Sequence, residues 1–157
     1  MNIKKLQKDR TTRKGWIRRL DKLVSEIVKL RDVKCIVCGT TQKITCGHLF
    51  TRAAYSTRWD LDNTFAQCLS CNFRHEYDPY PMFTSVELLK GKDYVDELYK
   101  KFVHAEPIKT WHLKEMYDQL LTVKKSLEWS ILNHQTHPGK KNIKRWWTVS
   151  PILKLRR

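Results

Sequence analysis

Residues 35–75 read CIVCGTTQKITCGHLFTRAAYSTRWDLDNTFAQCLSCNFRH, and the fold turns on the paired cysteines at the two ends of this stretch. Cys35 and Cys38 form one CxxC, Cys68 and Cys71 a second, with 29 residues between the pairs. A two-residue spacer lets both thiolates of a pair reach one tetrahedral ion, with Zn–S near ~2.3 Å. Gly39 after the first pair suits the tight turn of a zinc knuckle. Four cysteines could also be two disulfides or unrelated core thiols. A reducing compartment disfavours the first, and the doubled spacing disfavours the second. The stretch therefore predicts one structural Zn2+ held by Cys35, Cys38, Cys68 and Cys71, stapling a compact irregular unit with short β-compatible pieces such as Lys43-Ile44-Thr45. The fifth cysteine, Cys46, reads as a buried thiol, with substitution as a ligand the lesser alternative.

On either side of this unit the pattern turns helical. In 14–31 the residues Trp16, Leu20, Leu23, Ile27 and Leu30 recur at spacings of 4, 3, 4 and 3, one apolar seam on a helix with Arg18, Arg19, Lys22 and Lys29 elsewhere on its surface. After the second cysteine pair a short helix is expected from Asn72 to about Tyr77, ended by Pro79. Thr84 with Glu87 three residues on has the form of a capping box, and Phe83 with Leu88 that of a hydrophobic staple. Gly91 breaks this helix and Asp93 starts the next, from Tyr94 to about Val103. Pro107 fits a first turn, and 108–133 carries Leu113, Met116, Leu120, Leu127 and Ile131 on one side until His137-Pro138-Gly139 ends it.

Charge divides the chain differently. The 157 residues hold 31 Lys and Arg against 16 Asp and Glu, a net +15. Residues 1–34 contribute +8 and residues 138–157 contribute +7, so the segment 35–137 is neutral with 12 charges of each sign. Two basic ends around a neutral centre fit arms on a polyanion, since phosphate binding is driven by neutralisation and counterion release. The paired Trp146 and Trp147 in the last stretch read as packing more than as base-stacking. No apolar run approaches the roughly 20 residues of a membrane span, and the charged N-terminal stretch has no secretory apolar core. A cytoplasmic protein that binds nucleic acid and no membrane is expected.

Between the cysteine pairs lie His48 and Asn63, and just after the second come Asn72 and His75, three apart and so on one helical face. This pattern of CxxC, Gly-His, Asp-Asn, CxxC-Asn and His resembles an HNH (ββα-metal) endonuclease on a zinc-stapled treble-clef frame. In more detail, CGHLFTR, RWDLDNTFAQCLSCN and the later KGKDYVDELY resemble the lambda-phage NinG/Rap family of recombination endonucleases, over about residues 33–100. The resemblance implies a ββα element that holds a divalent cation, Mg2+ or Mn2+, against the scissile phosphate beside a histidine base. Phosphodiester hydrolysis needs those parts: a base for water, a cation on the developing charge, and rigid placement of both. By position His48 matches the base and Asn63 the asparagine that orients its loop, while Asn72 and His75 fall where the helix offers metal ligands. Arg52 and Arg58 are available to clamp phosphates. One departure stands out. Many HNH enzymes carry an acidic or histidine ligand immediately before the base, where this chain has Gly47. With that ligand gone, His48 itself, Asp60, Asp62, Glu76 or Asp78 is an alternative donor.

The expected protein is α+β: a basic amphipathic N-terminal helix in 1–34, a zinc-bound HNH-like (treble-clef/ββα-metal) core in 35–80, a helical region packed on it in 81–137, and a basic C-terminal arm in 138–157. The expected function is metal-dependent endonucleolytic cleavage of DNA. By resemblance the substrates are branched recombination intermediates such as D-loops and Holliday junctions, and the host compartment is a bacterial cytoplasm. Two rivals remain at this point: an HNH endonuclease acting on linear duplex, and a non-catalytic zinc-finger nucleic-acid-binding protein. The apolar seam of the first helix suits either a homodimer interface or packing within one chain.

Overall fold

The computed structural model describes residues 12–136. The basic arm 138–157 with Trp146 and Trp147, and the His137-Pro138-Gly139 stop, lie outside the described residues.

Helix α1 (Arg13–Asp32) starts where the Thr12 hydroxyl accepts the Gly15 N–H, a side-chain N-cap. Its buried hydrophobic side chains are Leu20, Leu23, Val24, Ile27 and Val28, a stripe broadened by two valines, while Leu30 is only half-buried. Helix α5 (Thr110–Thr136) covers this stripe with Leu113 and Leu120. The seam is thus packed inside one chain. The two helices run parallel. Arg13 Nη1 donates to the Ile108 carbonyl at 2.6 Å, the Trp16 and Tyr117 rings meet edge-on, and Lys124 reaches Glu26 at 2.8 Å.

Strands β1 (Ile44–His48) and β2 (Thr64–Cys68) pair antiparallel, with Gly47 opposite Phe65 and His48 opposite Thr64. Every residue of β2 is buried. The period-two alternation of a strand divides it between two cores. Ala66 joins the α1–α5 core, where Ile44 and Cys46 also pack. Phe65 joins a second core with Leu49, Phe50, Met82, Val86, Val95 and Leu98. Helix α2 (Leu69–His75) follows β2 directly, and α3 (Tyr80–Lys90) and α4 (Lys92–Val103) close the second core. The architecture is α+β. Among the described residues no helix is long and apolar enough to cross a membrane.

Three local expectations are corrected. Helix α3 begins at Tyr80 behind Pro79, with Pro81 in its first turn, where a fixed φ is already helical. Thr84 is therefore interior and caps nothing, and Leu88 is 84% exposed and staples nothing. Helix α2 starts three residues before Asn72, because Cys68 caps it. Helix α5 starts at Thr110, so Pro107 is outside its first turn, and Ile131 stands off the core at 38% exposure.

Candidate functional site

The first cysteine pair sits in the turn after α1. Gly39 N–H bonds to the Cys35 carbonyl at 2.9 Å with Gly39 at φ +73°, and Ile36 N–H ties the turn to the Ala66 carbonyl of β2 at 2.8 Å. The second pair straddles the junction of β2 and α2, where Cys68 Sγ accepts the Cys71 N–H at 3.5 Å. Two chain segments thus converge, and the Sγ atoms of Cys35, Cys38, Cys68 and Cys71 all lie within 4.8 Å of one another. A tetrahedron with ~2.3 Å metal–sulfur bonds has edges of about 3.8 Å, and Cys38 and Cys68 sulfurs are 3.7 Å apart. The Ser70 hydroxyl at 3.4 Å and the Cys71 N–H pull the Cys68 thiol down to about 6, favouring the thiolate that a metal needs. These four cysteines could hold a structural zinc ion. Cys46 stands outside the group, and burial pushes its thiol up to about 12.

His48 ends β1, and its Nε2 lies 3.0 Å from the Arg58 carbonyl. A carbonyl only accepts, so Nε2 carries the proton and the neutral ring presents Nδ1 as a lone pair. Nδ1 has no hydrogen bond among the described residues. Burial lowers the ring's pKa below its usual 6.5, and only then do the Arg58 carbonyl (raising) and the Arg52 charge (lowering) act. His48 is therefore neutral at pH 7. The 49–63 loop that carries Arg58 is closed by Asn63, which is fully buried. Its Oδ1 accepts the Phe50 N–H at 2.8 Å, and its Nδ2 donates to the carbonyls of Phe50 and Thr57 at 2.9 and 3.0 Å.

His75 bonds to the same loop. Its Nε2 donates to the Leu49 carbonyl at 3.2 Å, and its Nδ1 is buried with no hydrogen-bond partner. Asn72, one turn earlier on α2, is half-buried and makes no side-chain hydrogen bond among the described residues. Arg52 is exposed and its charge reaches both His48 and Asp21. Arg58 is differently employed: its Nε and Nη2 grip Asp21 of α1 at 2.9 and 2.7 Å, and its Nη1 donates to the Arg52 carbonyl. Asp60 and Asp62 face α4, where Lys101 reaches Asp60 at 3.2 Å and the Tyr94 hydroxyl donates to Asp62. Among the described residues the four cysteines are the one group of three or more His, Cys, Asp or Glu close enough to share an ion.

The glycine before His48 has a steric cause. Gln67 of β2 is fully buried and lies across Gly47, so that a Cβ there would meet Gln67 Oε1 at 1.8 Å. Neither Gln67 amide atom has a hydrogen-bond partner among the described residues. The volume that an acidic side chain would need is filled by an amide. Gly47→Asp is expected to lower stability by about 2–3 kcal/mol, from overpacking and a buried carboxylate. Urea titration reads this, and an unchanged midpoint would mean that Gln67 swings aside without cost. Sequence reasoning missed both Gln67 and Asp21. Gln67 carries no spacing signal, and Asp21 is marked only as one of four acids in the basic first 34 residues.

No curated protein and no solved structure matches the chain. The family model described as "Bacteriophage Lambda NinG protein" matches residues 1–128. That span runs from before α1 through most of α5 and takes in both cysteine pairs, His48, Asn63 and the α2 helix, so this chain belongs to the phage lambda NinG family.

Proposed function

We propose that this protein is a metal-dependent DNA endonuclease that hydrolyses phosphodiester bonds in branched recombination intermediates, D-loops and Holliday junctions, during phage recombination. The observation that carries the reading is His48: a neutral imidazole whose Nε2–H is fixed on a backbone carbonyl and whose Nδ1 lone pair is left to take a proton from water. Asn63 holds the loop that supplies that carbonyl. Arg52, exposed beside His48, is the cation placed to meet a phosphate. Arg58 serves the loop, engaged as it is with Asp21.

The chemistry also calls for Mg2+ or Mn2+. His75 has the form of a histidine ligand, its Nε2–H on a carbonyl and its Nδ1 without a partner. Asn72 adds an amide oxygen from the same helix face. Two protein donors fit a hard cation that keeps several waters and binds substrate oxygens. When bound, such an ion stabilises negative charge on the phosphate and leaving oxygen.

The test is cleavage of a four-way junction against a matched linear duplex, with Mg2+ or Mn2+, across pH. Cutting of the junction in preference to the duplex is expected. Because His48 is lowered from 6.5, the acid limb of the rate should inflect below pH 6.5, with the base unprotonated and the rate at its plateau above it. Equal cutting of both substrates would favour the linear-duplex reading. No cutting of either would favour a zinc-stapled nucleic-acid-binding protein, a second reading supported by Gly47, which stands where many HNH enzymes carry a metal ligand.

A further inference from the structure

We infer that Asp21 is a positioning residue for His48, acting from helix α1 through the peptide that joins Arg58 and Trp59. The inference deepens the endonuclease reading, in which His48 is the base, but its structural half can be tested without any cleavage.

The carbonyl that fixes His48 Nε2 belongs to the 58–59 peptide. The side chains on both sides of that peptide end on one carboxylate. Arg58 Nε and Nη2 donate to Asp21 Oδ1 and Oδ2 at 2.9 and 2.7 Å, and the Trp59 indole N–H donates to Asp21 Oδ1 at 2.7 Å. Trp59 is itself buried against α1 in the first core, and Tyr55 packs on its ring. The guanidinium is also pinned on its third side by the Arg52 carbonyl at 3.1 Å. The peptide therefore has little freedom to rotate, and the carbonyl keeps the direction that selects the Nε2–H tautomer. Without Asp21 the loop would still be closed by Asn63, which holds the Phe50 and Thr57 carbonyls, but the side chains on either side of the 58–59 peptide would lose the carboxylate they share.

Burial alone would raise the Asp21 carboxyl, yet hydrogen bonds from Arg58 and Trp59 bring it below its usual value, so Asp21 is ionised wherever His48 can act as a base. The charged groups acting on His48 are Arg52 and Arg58 from the loop and Asp21 from α1. A purely structural Asp21, tying a helix to a loop, would give stability and leave the imidazole alone. The two roles differ in what they do to the ring.

The experiment uses the full zinc-loaded chain and compares wild type, Asp21→Asn and Asp21→Glu. Asparagine keeps the oxygen shared by Trp59 and Arg58 Nε but turns an N–H2 toward Arg58 Nη2, whereas glutamate keeps the charge. The ring nitrogens of His48 are read by 15N chemical shifts, and kcat and KM by nicking of a four-way junction with Mg2+. Wild type should show the Nε2–H tautomer. Asp21→Asn should show a mixture of tautomers and a kcat reduced about 10- to 100-fold, the usual range for such supporting partners, with KM within about twofold. Asp21→Glu should recover part of both. If Asp21→Asn does not fold, Arg58→Gln breaks the same link while leaving Trp59 on Asp21, and the same shifts are expected.

A wild-type tautomer in the folded variants overturns the inference, whatever happens to melting temperature or to rate. If wild type cuts no DNA, the endonuclease reading fails separately, and the 15N shifts still decide whether Asp21 sets the His48 ring.

Discussion

Cys68→Ser is expected to abolish zinc binding and lower the melting temperature by at least about 10 °C, or remove the cooperative transition altogether. Cys68 occupies three structural roles: it ends β2, caps α2 through its Sγ, and sits 3.7 Å from Cys38 in the four-sulfur group. Structural zinc sites of this kind contribute about 10–16 kcal/mol in isolated fingers, against a total stability of about 5–15 kcal/mol for an ordinary domain. Losing even 5 kcal/mol shifts the midpoint of a chain this size by about 10–20 °C. The damage should be uneven. Helices α1 and α5 bury their own stripe against each other, whereas α2 and the loop that His75 touches depend on the knuckle. Thermal melting with zinc analysis is the check. A variant that lacks zinc and melts like wild type would show the four cysteines to be ordinary core thiols.

His48→Ala is expected to reduce cleavage by about 100- to 10,000-fold, the range in which positioned general bases contribute, and to leave zinc content and junction affinity unchanged. The base acts in the transition state and adds little to ground-state binding. The side chain makes a single hydrogen bond, to the Arg58 carbonyl, worth about 1 kcal/mol, so melting should fall by no more than about 4 °C. Activity is measured with Mg2+ at pH 7.5, affinity in its absence. Loss of zinc or of folding in this variant would make His48 a structural residue. Stability has its own pH dependence. A histidine held neutral by the fold gives its full contribution above its unfolded pKa near 6.5, and the contribution is lost as pH falls through that value toward the lower folded one.

The parts of this molecule legible in its sequence are those where chemistry restricts spacing. A CxxC pair has one geometry that brings both sulfurs to an ion, so the four-cysteine group was readable at once. The strand before His48 and the amphipathic seam of α1 also follow from local pattern. Asn63, singled out by its place before the second cysteine pair, is buried and bonded to Phe50 and Thr57 of the loop that follows His48. What local pattern could not convey is tertiary competition. Thr84 and Glu87 have the letters of a capping box, but Pro79 and Pro81 nucleate the helix a turn earlier. Ile131 continues the apolar spacing of α5 past the point where α1 can cover it. Asp21 and Gln67 act through partners 37 and 20 residues away in sequence, and no spacing rule reaches that far. Arg58 shows the same limit: its place in the sequence does not reveal that Asp21 of α1 holds its guanidinium.

The parallel packing of α1 on α5 carries a consequence for synthesis. The Arg13–Ile108 and Lys124–Glu26 contacts span 95 and 98 residues, so α1 lacks its α5 cover until the last described helix has left the ribosome. At about 5–20 residues per second that interval is about 5–20 s, during which Leu20, Leu23 and Ile27 have only the hairpin side of their core, Trp59 and Ala66, to pack on. Contacts of such long range also slow folding, since loop closure precedes any reward from packing. Asp21 sits on the helix that waits. A nascent chain that has not yet made α5 can therefore bring its two cysteine pairs together and close its hairpin while the helix beneath the 58–59 peptide still lacks part of its cover.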